Sequence, residues 1–219
     1  MLRPTQARTV AARFTLIAGA MFLGACSGEV TAPAAAAPRA IEARSMFVPS
    51  ASAKALIGVA DGTYSVTFDP TRDQSFYLAA NHLNIPAYSV CNLVTSGYGA
   101  AYWNHSCSPQ TLPVTLTVVI KNAASSNPSV NFYPAMRFNP TKNVQLFMYA
   151  PNVSPNDAKN WSMFYCPDIG KCVDESLTDS ALATYIDYSS NVLFRRVKHF
   201  SGYTVAERAP DGIVDLLAP

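Results

Sequence analysis

The chain has 219 residues, of which 49% are hydrophobic and 14% charged, with 16 Lys+Arg against 14 Asp+Glu. That near balance leaves no basic footprint for nucleic acid. The length suits one domain with a sizeable core.

The first predicted element is an address. Arg3, Arg8 and Arg13 precede the apolar run "FTLIAGAMFLGA", which is too short for a permanent membrane span of about 20 residues. A basic start, a short apolar run and small residues at Gly24 and Ala25 predict a secretory signal peptide over 1–25. The junction "LGAC", ending at Cys26, resembles the lipobox of bacterial lipoproteins, which implies a diacylglycerol anchor on Cys26 and attachment to a membrane. Ser27 follows where an aspartate would favour inner-membrane retention, so the resemblance implies an exported protein of the cell envelope, at the outer membrane where the cell has one. Removing the three leader arginines leaves 13 basic residues against 14 acidic ones, a net of −1. The cluster Arg195, Arg196 and Lys198 then reads as a solvated strand face rather than a ligand patch.

Residues 26–45 are rich in Ala, Pro and small side chains, a composition that predicts an extended tether. The folded domain is expected over 46–208, with a C-terminal tail at 209–219. Beyond Cys26 four cysteines remain, an even number that in an exported protein predicts two disulfides. Four cysteines allow three connectivities. The turn residues inside "CPDIGKC" favour Cys166–Cys172, which leaves Cys91–Cys107. A zinc site using His105 beside Cys107 matches no paired-knuckle spacing.

From Gly62 onward the chain alternates in strand fashion. "TYSVTF" puts Tyr64, Val66 and Phe68 on one face. "LPVTLTVVIK" does the same with Leu112, Val114, Leu116, Val118 and Ile120, and "VQLFMY" with Val144, Leu146 and Met148. "WSMFYC" and "NVLFRRVKHFSGYTVA" supply further strands. Period-2 alternation broken by "NPSVN", "FNPTKN" and "APNVSPND" predicts an all-β antiparallel β-sandwich. A short helix is expected in "DESLTDSALATY", capped by Asp174 or Ser176, and another helical turn in "GIVDLLAP".

Three stretches carry a resemblance. "LNIPAYSV" (83–90), "VNFYPAMRFNPTKNVQLFM" (130–148) and "VKHFSGYTVA" (197–206), in that order, resemble the ZU-type domain shared by ankyrins, netrin receptors and tight-junction scaffolds. The resemblance spans residues 74–207. It implies a β-sandwich that binds an unidentified protein partner or supports the cell surface, without catalysis and without a cofactor or metal.

The same family implies a sharper possibility. In a death-domain adaptor with ZU-type domains, and in a nucleoporin, His-Phe-Ser is a backbone self-cleavage site, and this chain carries His199, Phe200 and Ser201. The serine hydroxyl attacks the preceding carbonyl with the histidine as base. On a regular strand His199 and Ser201 face the same way, and Gly202 would relax the backbone there. The apolar phase changes between Phe200 and Tyr203, which predicts a bulge near Ser201–Gly202.

Other sites are weaker. Asp174, Glu175 and Asp179 lack the ligand spacing of a calcium loop. His82 and His105 read as hydrogen-bonding loop residues. Tyr98, Tyr102 and Trp103 form a candidate glycan-stacking surface, with packing against the 91–107 disulfide as the simpler reading.

Overall fold

The computed structural model describes residues 59–156, 160–168, 171–208 and 213–215. The chain divides into Met1–Met46 and Phe47–Pro219, and every described residue belongs to the second unit. The expected signal peptide, the lipidation site Cys26 and the tether lie outside the described residues, as do positions 209–212 and 216–219 of the expected tail.

The described residues are all-β. The strands are β1 (Gly62–Phe68), β2 (Gln74–Leu78), β3 (Asn81–Ile85), β4 (Val114–Lys121), β5 (Ser129–Arg137), β6 (Gln145–Tyr149), β7 (Trp161–Asp168), β8 (Lys171–Val173), β9 (Tyr185–Asp187), β10 (Val192–Arg196), β11 (His199–Glu207) and β12 (Ile213–Asp215). They form a seven-stranded sheet in the order β1-β4-β5-β11-β7-β8-β12 and a five-stranded sheet in the order β2-β3-β6-β10-β9. The pairings are antiparallel.

Alternation explains the core. Val114, Leu116, Val118 and Ile120 of β4 are buried, and they meet Leu83, Leu146, Met148 and Leu193 of the other sheet in one hydrophobic cluster. Such burial of apolar side chains is the main favourable contribution to folding. Leu112 departs from the expected pattern: it is exposed and precedes the strand. Pro113 follows it and has no N–H for a ladder bond, so β4 begins only at Val114.

The stretch "NVLFRRVKHFSGYTVA" is divided between the two sheets. β10 pairs with β6 and β9, whereas β11 pairs with β5 and β7. Val197 and Lys198 make the crossing: Val197 N–H donates to Val144 O at 2.9 Å, and Lys198 O accepts from Phe138 N–H at 2.8 Å.

Two expected helical segments are corrected. "DESLTDSALATY" forms two 3-10 turns, Glu175–Leu177 and Ser180–Leu182, rather than an α-helix. Asp174 caps the first by accepting from Ser176 N–H, and Asp179 caps the second by accepting from Ala181 N–H. Two Asp caps five residues apart restart the chain before an α-helical turn can propagate. In "GIVDLLAP", Ile213–Asp215 is a strand paired with β8, so the expected tail adds an edge strand to the larger sheet.

On the face of the smaller sheet opposite the main core, one aromatic ring from each strand forms a row. Tyr77, His82, Phe147, Phe194 and Tyr185 are cross-strand partners in register. Their successive centroids lie 4.6, 5.2, 5.4 and 5.5 Å apart. Aligned aromatic pairs of this kind tie neighbouring strands together.

Candidate functional site around His199, Phe200 and Ser201

β11 carries the tripeptide in the middle of the larger sheet. Its register against β5 slips between Phe200 and Gly202: Phe200 lies opposite Met136, and Gly202 opposite Asn131. The expected irregularity is there, and it lets both Phe200 and Tyr203 enter the main core. Phe200 stacks on Phe132 at 4.2 Å and meets Phe138 edge-on at 4.6 Å.

Gly202 plays a different part from the expected one. A Cβ at this position would sit 2.7 Å from Asn131 Oδ1 and 2.8 Å from the Cys166 carbonyl oxygen. Glycine is needed because β5 and β7 close on it from both sides, and its φ is not in the left-handed range.

His199 is completely buried. Its Nε2 lies 2.8 Å from Glu175 Oε1, and the other carboxylate oxygen accepts from Arg195 Nη2 at 2.6 Å. A carboxylate only accepts, so Nε2 carries a hydrogen, and in the neutral ring Nδ1 then has the lone pair. Nδ1 lies 3.4 Å from the Tyr203 hydroxyl, which itself donates to the His199 carbonyl at 2.8 Å. Burial, with the Glu175 charge nearby, pushes the Tyr203 phenol well above its ordinary pKa, so it remains an O–H donor.

The solvated strand face expected for Arg195, Arg196 and Lys198 is therefore corrected. Arg195 and Lys198 are buried and Arg196 is half-buried. Arg195 is 0% exposed, donates to Met163 O at 2.8 Å and pairs with Glu175. The crossing between sheets turns these residues inward, where each charge needs a partner. Glu175 answers Arg195 and Asp179 answers Lys198, Arg196 donates to Pro140 O, and Asp174 pairs instead with Arg208. Among the described residues no group of three His, Cys, Asp or Glu side chains is placed to hold a metal ion.

A loop closed by a disulfide covers His199. Cys91–Cys107 and Cys166–Cys172 are both bonded, so Cys107 has no thiolate to give a zinc site with His105. Within the loop, Arg137 Nε donates to Gly97 O and Nη1 to His105 O, each at 2.7 Å. Gly99 takes φ +114, and Gly97 lies so close to Tyr102 that a Cβ would meet the ring at 2.6 Å. Trp103 stacks on the His199 imidazole at 3.9 Å and meets Tyr165 edge-on at 5.3 Å. The tryptophan is half-buried, with its ring packed on His199 and Tyr165. Tyr98 and Tyr102 keep exposed surface. His105 is exposed and His82 belongs to the aromatic row, where its Nε2 lies 2.7 Å from Ser75 Oγ.

Tyr98 reaches the tripeptide directly. Its hydroxyl donates to the Phe200 carbonyl oxygen at 2.9 Å. Burial pushes its phenol far above the usual range, which keeps it a donor. Ser201 Oγ is a buried oxygen with no hydrogen-bond partner of normal geometry, although it lies near enough to Tyr98 to influence that phenol. Phe200 O, a donor on it and an unengaged hydroxyl thus converge around one peptide bond. The arrangement can polarise that carbonyl. No hydrogen bond joins His199 to Ser201, since both imidazole nitrogens face other groups.

Sequence reasoning missed Glu175, Arg195 and Tyr98 as parts of this site. The one legible signal was the tripeptide. Compared with models of protein families, with curated proteins and with solved structures, the chain finds no match.

Proposed function

We propose that this protein is a non-catalytic cell-envelope lipoprotein, anchored through Cys26, whose ZU-type sandwich presents the loop between Cys91 and Cys107 to a protein partner. One observation carries this reading. The loop is held by the disulfide and by Arg137, yet it turns Leu93, Val94 and Tyr102 outward, with Val94 93% exposed. Moreover, the sequence from Gln74 to Ile120 contains no Asp, Glu, Lys or Arg. Preorganised apolar and tyrosine side chains without competing charge are the composition of an interface core. A photoreactive residue at Val94 tests it in exporting cells. One discrete protein adduct at Val94, with none at Thr117 on the exposed face of β4, is expected. Equal labelling at both positions, or none, sinks the reading. Loss of lipid labelling in Cys26→Ser tests the anchor.

A second reading has its own support: self-cleavage of the Phe200–Ser201 bond. The Tyr98 hydroxyl on Phe200 O is the donor that such a reaction requires at the developing oxyanion. Ser201 Oγ would attack the Phe200 carbonyl carbon as His199 Nδ1 removes its proton. The Ser201 nitrogen, protonated in turn, would leave as an α-amine, and water would hydrolyse the resulting ester to a Phe200 carboxylate and a free Ser201 hydroxyl. Both steps need the imidazole to turn toward Ser201. Denatured protein that contains a fragment beginning at Ser201, absent from Ser201→Ala, supports this reading. An intact chain after prolonged incubation excludes it.

A further inference from the structure

Lys198 lies at the crossing between the sheets and is buried despite its ammonium group. Its Nζ contacts two side chains brought from distant parts of the chain, Oδ1 of Asn104 and Oδ2 of Asp179. Neither partner is adjacent in sequence, and each is held from behind. Asp179 Oδ1 accepts from Ala181 N–H at 3.0 Å, which leaves Oδ2 for the lysine. Asn104 follows Trp103, and Lys198 precedes His199; those two rings are stacked at 3.9 Å. The stacked pair fixes the amide of one segment against the amine of the other. The Cys91–Cys107 bond and the two Arg137 hydrogen bonds hold the loop that carries the amide.

A lysine amine against a carboxamide, with a carboxylate touching the same nitrogen, contains every group needed for amide exchange. We propose that Lys198 and Asn104 form an intramolecular isopeptide cross-link, with Asp179 as the proton carrier. Asp179 takes a proton from the Lys198 ammonium, and the freed amine attacks Asn104 Cγ, the carbon bonded to the oxygen it already contacts. The new C–N bond forms as the Asn104 C–N bond breaks. Asp179 passes protons from the attacking nitrogen to the departing one. The product is a secondary amide and ammonia, which leaves as ammonium with the surplus proton and returns Asp179 to its carboxylate. No oxidant or cofactor is involved.

Physical chemistry favours the step at this place. The reactants are held together, and a fixed geometry replaces a bimolecular encounter. The carboxylate is at hand for general acid–base transfer. Asn104 is an exposed residue, which gives ammonia a way out. The bond would join the apolar loop to the crossing that leads into β11, and would add to the Cys91–Cys107 bond a staple that reducing agents do not open.

Peptide mapping of the reduced, denatured full chain decides the matter. Trypsin cuts after Arg72, Lys121, Arg196 and Arg208 but not after an acylated Lys198. The expected product is one branched peptide that unites Asp73–Lys121 with Val197–Arg208, lighter than their sum by one ammonia. It should be absent from Asn104→Ala and from Lys198→Arg, and much reduced in Asp179→Ala. Asn104→Ala alters an exposed side chain, so its native circular dichroism confirms that loss of the link is not loss of the fold. Separate linear peptides from the wild-type chain, with Lys198 cut normally, overturn the proposal. A link lighter by one water that joins Lys198 to the Asp179 peptide Cys172–Arg195 overturns it too. Cleavage at Phe200–Ser201 would shorten one branch to Val197–Phe200 and leave the link in place, so the two reactions are read separately.

Discussion

The hydroxyl of Tyr98 donates to the Phe200 carbonyl oxygen at 2.9 Å, across a sequence separation of 102 residues. This bond anchors the stapled loop to β11. Tyr98→Phe keeps the ring and removes the bond, and should cost about 0.5–1.5 kcal/mol in urea unfolding. The Tyr98 and Tyr203 phenols are both raised above 10.0. The unfolded chain therefore loses these protons first as the solution becomes alkaline, and stability falls as pH rises past 10.0. Unfolding midpoints measured on either side of that value should drop in the wild type, and drop less in Tyr98→Phe.

Glu175 satisfies two buried donors at once, the Arg195 guanidinium and the Nε2–H of His199. Glu175→Gln leaves the Arg195 guanidinium uncompensated at a fully buried position. The expected loss is about 3–5 kcal/mol. The double variant Glu175→Gln/Arg195→Met should recover much of it, because the unpaired charge is then gone. A double variant no more stable than the single one would assign the effect to His199 or to the 3-10 turn instead.

Gly202→Ala should destabilise by about 1–3 kcal/mol through overpacking. One of its clashes is with a backbone carbonyl, that of Cys166, which cannot rotate away as the Asn131 side chain can. Adding Asn131→Ala should therefore restore only part of the loss, measured by chemical denaturation.

His82 sits in the aromatic row with its pKa lowered from 6.5 by burial. The native state resists protonation there, while the unfolded chain takes up the proton as pH falls below 6.5. Stability contributed by the neutral ring is complete above that value and declines below it. His82→Gln should lose some stability at neutral pH, where the ring no longer stacks on Tyr77 and Phe147, and show a flatter pH profile between about 6.5 and 5.

Much of the fold was legible because strand burial has a period of two. The alternation of Val114, Leu116, Val118 and Ile120, and the phase change after Phe200, follow from the sequence order of apolar residues. The cysteine pairing was favoured by turn chemistry within "CPDIGKC" and by elimination for Cys91–Cys107. The segment at 174–182 was misread because Asp174 looks like the start of one helix, and the second cap, Asp179, went unrecognised. Together they make two short turns, since each cap interrupts the other's propagation.

The site was harder to read because its members are far apart in the chain. Glu175, Tyr98 and Asn104 meet residues 198–200 only when the stapled loop and the two 3-10 turns fold over them. A basic cluster in sequence implies solvation by default, because buried charge is costly. Arg195 and Lys198 reverse that expectation because acidic partners from the 174–182 segment arrive at the same place.

By itself the sequence determined which faces are apolar, where the strands alternate and where the phase breaks, because these depend on local spacing and backbone geometry. Only the tertiary structure decided that one stretch, "NVLFRRVKHFSGYTVA", would be shared between two sheets. It alone decided which acid would answer each buried cation, and which hydroxyl would meet the Phe200 carbonyl. Those choices depend on long-range pairings such as β11 between β5 and β7, and no local pattern encodes a partner a hundred residues away.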